Sequence, residues 1–214
     1  PKVLKAGVVM ALNLRGGQTD TTGSPIASDW MPVDTKALLA GEDIAADALV
    51  IAAGAWSHRL ARTLGDRIPL DTERGYNTTF PTASFDLRTH LTFSNHGFVV
   101  SKIGEGLRVG GAVELGGLNL PPNYRRAEIL VRKTVEFLPG FDPTGGTQWM
   151  GFRPSLPDSL PVIGRSPKSD RVVYAFGHGH LGLTQSAGTA ELVAALVARR
   201  APAISLSPFA AERF

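Results

Sequence analysis

The chain has 214 residues, 43% of them hydrophobic and 19% charged, enough for one substantial core or for two small domains sharing one. No apolar run approaches the ~18 residues of a membrane-spanning helix; Ala6 to Leu12 has seven and the longest, Ala48 to Trp56, nine. Cysteine is absent, which removes from this chain disulfide frameworks, thiolate catalysis, cysteine zinc sites and thioether attachment of a cofactor. The net charge of +3 comes from 22 cations against 19 anions. The basic pairs Arg125–Arg126 and Arg199–Arg200 lie in helical patterns beside carboxylates or apolar residues, so a solvated face is expected rather than nucleic-acid binding.

Along the first 45 residues only Val8 to Leu14 reads as a strand, with a turn at Gly16–Gly17 and a polar stretch from Gln18 to Pro32. Leu49 to Ala53 is a continuous apolar run of the kind that suits a strand buried on both faces, as in a parallel sheet. Ser57 is placed to cap the helix that follows, with Leu60, Ala61 and Leu64 on its inner stripe and Gly65 ending it. From Ile68 the style changes. Tyr76 to Phe80, His90 to Ser94, Gly97 to Ile103 and Leu107 to Val113 are short β-type runs, with Gly104–Gly106 a hairpin loop. Asn123 is a candidate cap for an amphipathic helix over Tyr124 to Leu138, stopped by Pro139–Gly140. Arg171 to Phe176 is again a buried-strand run, followed by a glycine-rich turn and a small-residue helix from about Gly182 to Arg200.

That turn, Gly177-His-Gly-His-Leu-Gly182, matches G-x-G-x-x-G between a predicted strand and helix. A dinucleotide fingerprint also needs a second strand ending in an acidic residue about 20 positions on, and the region near residue 202 reads Ala-Pro-Ala-Ile. What remains is the physics of the turn: glycines expose backbone N–H groups, and a helix N-terminus carries roughly half a positive charge. Phosphate, carboxylate or a reduced flavin would be stabilised there; a turn needing glycine only for packing is the alternative. His178 and His180 have no cysteine or paired carboxylates nearby, so no metal site is expected. Trp56 reads either as core or as the cover of a flat cofactor. Arg153 stands in Gly151-Phe-Arg-Pro154, ahead of Pro157-Asp158, where rigid surroundings suit bidentate capture of a carboxylate. A structural pair with Asp158 is the competing reading.

Five stretches together resemble the C-terminal part of the D-amino-acid oxidase/dehydrogenase superfamily of FAD-dependent amine oxidoreductases, nearest its bacterial D-amino-acid dehydrogenase branch. They are Ala46 to Ser57, Pro69-Leu70 with Arg74-Gly75-Tyr76, Arg108 to Leu115, Trp149 to Gly164 and Phe176 to Thr184. The resemblance implies an α+β architecture: an antiparallel β-sheet substrate domain with a helix (68–150), inserted into the C-terminal remnant of an α/β Rossmann-like FAD-binding domain (1–67 and 151–214). It places Arg153 as the substrate-carboxylate residue, with Tyr76, His180 and His96 near the substrate. Gly54 and Trp56 fall at a strand-end FAD contact, and Gly177, His178, Gly179, Gly182, Leu183 and Thr184 at the turn facing the flavin. FAD is expected to be non-covalent, and no metal is expected.

The implied reaction oxidises a D-amino acid to a 2-oxo acid and ammonia by hydride transfer to flavin. Glycine oxidases and cyanide-forming glycine dehydrogenases share these motifs, and a non-catalytic fragment unable to bind FAD alone is a further alternative. The family's N-terminal G-x-G-x-x-G unit has no match here, so its FAD-binding half is expected as a partner, in the same or another chain. A small amino acid and a quinone or respiratory-chain acceptor complete the expected partners. The expected location is cytoplasmic, with a peripheral position on the inner membrane as the alternative.

Overall fold

The computed structural model describes residues 8–12, 30–32, 46–82 and 85–214. They form two compact units, one comprising residues 1–71 and 154–214, the other 72–153. The divisions fall at 71/72 and 153/154, where the sequence reading puts them at 67/68 and 150/151. The turn read at Gly16–Gly17 and the polar stretch 18–29 lie outside the described residues.

In the first unit a five-stranded sheet has the order β2-β1-β3-β10-β9, from β1 (Val8–Leu12), β2 (Trp30–Pro32), β3 (Ala48–Ala52), β9 (Val162–Ser166) and β10 (Ser169–Phe176). β3 and β10 run parallel, while β1 pairs with β3, and β9 with β10, antiparallel. The apolar runs of β3 and β10 are indeed covered on both sides. Ile51, Val172, Tyr174 and Phe176 pack with Ala61, Ile68, Leu70 and Leu156 on one face. On the other, Ala48, Val50 and Val173 meet Val193 and Val197, which belong to helix α3 (Ser186–Val197). Alternation at period two sends neighbouring residues to opposite cores.

Helix α1 (Ser57–Thr63) starts one residue earlier than a Ser57 cap would require. Ser57 is its first helical residue, and its hydroxyl is buried without a hydrogen-bond partner. Gly65, at φ +94°, follows the helix. A buried network ties this corner to the β9–β10 hairpin: Ser166 and Tyr174 each donate a hydroxyl to Asp66 Oδ2 at 2.6 Å.

The second unit is a sheet of order β5-β6-β7-β4-β8 with one helix on it. Its strands are β4 (Asp71–Phe80), β5 (Leu91–Phe93), β6 (Phe98–Ile103), β7 (Gly106–Leu115) and β8 (Thr147–Ser155). The β4–β7, β6–β7 and β5–β6 pairings are antiparallel. Helix α2 (Arg125–Phe137) lays Leu130 against Phe80, Phe98, Val100, Leu107 and Val109. These strand residues alternate with Asn77, Thr79, Val99, Ser101, Arg108 and Gly110, which therefore occupy the opposite sheet face. The mixed α+β class agrees with expectation. The strands β8 and β9 do not appear in the sequence reading, because prolines 154, 157 and 161 made that segment look merely extended.

Candidate functional site

In the first unit, the ends of β3 and β10 and the start of α3 surround a cavity of about 640 Å³. Gly54, Gly177, His178, Gly179 and Gly182 line it together with Ala190 of α3, and its walls are mostly apolar. Three of the glycines are conformational necessities: Gly54, Gly177 and Gly179 have φ of +53°, +87° and +54°. At Gly54 a Cβ would meet nothing within 4 Å, so the strand end is open backbone. At Gly177 a Cβ would lie 2.5 Å from Leu156 Cδ1. Gly177 thus answers to the packing reading of the turn, whereas the open backbone lies at Gly54, on the neighbouring strand end.

His178 Nε2 lies 3.0 Å from Thr189 Oγ1, which ties the turn to the first turn of α3. Burial lowers the His178 pKa, favouring the neutral ring. Gly179 N–H donates to Pro154 O at 2.8 Å, anchoring the turn to the start of the 154–214 segment. Leu183, Thr184 and His180 lie on the exposed side of the turn, Leu183 at 91% exposure. Trp56 is half-buried in the 3-10 turn Gly54–Trp56. Gly54, Gly177, His178, Gly179 and Gly182 are thus brought to one cavity, which Trp56, His180, Leu183 and Thr184 do not line.

In the second unit Arg153 is half-buried on β8, and its Nη1 is buried with no hydrogen-bond partner. A Cβ on Gly75 would overlap its guanidinium, so β4 leaves a berth for it at this one residue. Burial pulls the Arg153 pKa down and the Glu73 carboxylate pushes it back up; an arginine stays protonated under both. Trp149 folds over Gly151, where a Cβ would collide with its indole, and is 58% exposed. By alternation along β4 and β8, Gly75, Asn77, Arg153 and Trp149 share the sheet face turned away from α2.

Tyr76 faces the other way. It is 1% exposed, and its hydroxyl donates to Glu114 Oε2 and accepts from Asn123 N–H at 3.0 Å. The same carboxylate takes Arg126 Nε on Oε1 at 3.2 Å and lies 3.6 Å from Arg74 Nη1. Chiefly through the Tyr76 hydrogen bond, Glu114 is held below the usual carboxylate pKa. Arg74, fully buried, donates to the carbonyls of Gly117 (2.8 Å), Leu120 (2.8 Å) and Pro121 (3.2 Å). Asn123 does not cap α2: the capping position is Tyr124, which makes no side-chain cap bond, and Asn123 instead gives its backbone N–H to Tyr76. His96 is exposed on the β5–β6 turn, its ring against Phe137 at 4.3 Å. Within this unit the structure therefore does not bring Tyr76 and His96 to the face that carries Arg153. Gly75 and Asn77 were missed by the sequence reading. Gly75 sits inside a quoted motif, whereas a single asparagine in a β-run carries no signal.

Residues 22–196 match the family described as FAD dependent oxidoreductase, DAO. The chain belongs to this family. It is 44% identical over 176 residues to a D-amino-acid oxidase of Bradyrhizobium diazoefficiens, covering 80% of this chain and 42% of that protein. It is 37% identical over 196 residues to a D-amino acid dehydrogenase of Paramagnetospirillum magneticum, covering 89% of this chain and 46% of the relative. Among solved structures, glycine oxidase from Geobacillus kaustophilus superposes with a TM-score of 0.71 at 28% identity, over 81% of this chain and 47% of that one. The chain spans less than half the length of the curated relatives it matches. The first unit's cavity combines mostly apolar walls with glycine backbone at two strand ends, a lining that fits a flat ring such as that of FAD.

Among the described residues no helix is long and apolar enough to cross a membrane, and no group of three or more metal-ligating side chains occurs.

Proposed function

We propose that the protein is an FAD-dependent oxidoreductase that oxidises D-amino acids to 2-oxo acids and ammonia. The observation that carries this reading is Arg153 Nη1, a buried cationic donor with no partner. Leaving such a group unanswered costs about 1–3 kcal/mol or more, and a planar guanidinium is shaped to take a carboxylate through two parallel bonds. The names of the relatives, D-amino-acid oxidase and D-amino acid dehydrogenase, support an amino acid as the bearer of that carboxylate.

FAD, when bound, supplies the hydride acceptor. Gly54, Gly177, His178, Gly179 and Gly182 are the residues that would hold it, and no cysteine of this chain is available for a thioether link. The N-terminal end of α3, on the same cavity, favours negative charge placed against it. A neutral His178, held by Thr189, adds no competing proton there. Arg153 fixes the carboxylate and thereby the orientation of Cα, which is catalysis by positioning. Gly75 keeps the guanidinium in its berth.

The test is anaerobic mixing of the full-length, FAD-loaded protein with D-alanine, L-alanine, glycine and simple amines. Bleaching of the yellow flavin band by D-alanine and not L-alanine is expected. Bleaching by none of these compounds overturns the proposal. The likeness to glycine oxidase favours one second reading, in which glycine alone reduces the flavin.

A further inference from the structure

The sheet face of the 72–153 unit turned away from α2 carries two unanswered polar groups of opposite kind. Arg153 Nη1 is a donor and Asn77 Oδ1 an acceptor; both are buried and neither has a hydrogen-bond partner. Asn77 is only 9% exposed. Its neighbours on that face leave its oxygen without a hydrogen-bond donor. The cross-strand neighbour, Gly110, has no side chain. Two residues along β4, Thr79 is engaged by Arg108 Nε at 3.0 Å. Two residues back is Gly75, above which lies the Arg153 guanidinium. Buried carbonyl oxygens are almost always paired, so one that is not calls for a partner.

The spacing selects the class of ligand. Gly75 and Asn77 are two positions apart on one strand, which separates their Cα atoms by roughly 6.6 Å. A ligand hydrogen-bonded at each end across that gap, at about 2.9 Å per bond, contains only a few heavy atoms between its two polar groups. An α-amino acid, with one carbon between carboxylate and amine, has that size and that order of acceptor and donor.

We infer that Asn77 binds the α-amine of the amino acid whose carboxylate Arg153 holds. The inference rests on the amino-acid oxidoreductase reading above and adds to it the second anchor of the substrate. An amide oxygen accepts an N–H without the charge that would favour the ammonium form. The amine lone pair is then available to form the C=N bond as hydride leaves Cα, so a neutral acceptor suits this oxidation better than a carboxylate.

The experiment compares ligands with and without the amine in the full-length, FAD-loaded protein: D-alanine against propionate, and glycine against acetate. In Asn77→Ala, KM for the amino acid is expected to rise about tenfold, the worth of one such hydrogen bond. The inhibition constant of the amine-free acid should stay within about twofold. In Arg153→Ala both should weaken. Asn77→Asp, which keeps the shape of the side chain, should fold in its place and move the acid limb of the kcat/KM profile to higher pH, because its charge holds the amine protonated. An unchanged KM in Asn77→Ala, equal weakening of propionate and D-alanine, or an unmoved profile in Asn77→Asp would each overturn the assignment. If the unsubstituted protein neither turns over an amino acid nor binds propionate, the oxidoreductase reading itself falls, and this inference with it.

Discussion

Asp158 is tied to Arg213 by a two-pronged ion pair: Arg213 Nε donates to Oδ2 at 2.7 Å and Nη2 to Oδ1 at 3.3 Å. Arg213 Nη2 also reaches Leu160 O at 2.7 Å, so the end of the chain is clasped onto the 156–161 turn. The carboxylate that looked like a structural partner for Arg153 is therefore answered from 55 residues away, and Arg153 Nη1 is left with none.

The clasp makes a pH-dependent contribution to stability. Hydrogen bonds from Arg213 depress the Asp158 pKa below its usual value. Its contribution is complete above the unfolded-state value of about 3.9 and is lost as pH falls through the folded-state pKa. With the pair partly exposed, Arg213→Ala is expected to cost about 1 kcal/mol or less at neutral pH. Chemical denaturation at pH 7 and in acid checks this: the difference between variant and parent should shrink as pH falls, leaving what the Leu160 carbonyl contact contributes.

Gly75→Ala should separate ligand recognition from folding. The added methyl meets the far end of a flexible side chain rather than backbone, so Arg153 moves and the strand does not. We expect a stability change under about 1 kcal/mol with a rise in KM for the amino acid of about tenfold or more. A thermal melt beside steady-state kinetics decides it; a large loss of stability with unchanged KM would contradict the berth.

Arg74 should behave in the opposite way. Its fully buried guanidinium answers three carbonyls of the 117–121 loop and neighbours Glu114, so Arg74→Ala leaves several groups unpaired at once. A loss of about 3 kcal/mol or more is expected, read as a fall in the denaturation midpoint. Arg74→Lys should recover only part of it, since one ammonium cannot match the planar fork.

His178 should remain neutral well into mildly acidic solution. Burial lowers its folded-state pKa, so between the unfolded value of about 6.5 and that lower value the unfolded chain binds more protons. Stability should decline over that window on acidification and then level off. Histidine ring resonances followed by NMR check it: a His178 midpoint at or above 6.5 would remove burial as the controlling influence.

Local pattern made much of this architecture legible. β3, β10 and α2 lie within two residues of where periodicity and breakers place them, because each is decided by its own apolar spacing. What pattern could not supply was pairing at a distance. Tyr76 looked available until Glu114, 38 residues on, and the Asn123 N–H took its hydroxyl. Ser57 looked like a cap and is instead the first residue of the helix. Asn77 matters only because Gly110 opposite it has no side chain, a fact of β-register that composition does not contain.

The bulge between β4 and β7, where the register slips between Arg74 and Tyr76, has a consequence for variation in this unit. Gly75 stands opposite the slip, and on either side of it Arg74 and Tyr76 point into the helix-side network while the Arg153 guanidinium lies on the other face. Two inventories of side chains are thus hung on one backbone with little in common. Substitutions on the α2 side change how hard the unit is to unfold, and those on the Arg153 side change what it holds. The side chains around Arg153 can therefore be exchanged in such a sheet while the framework beneath them stays fixed.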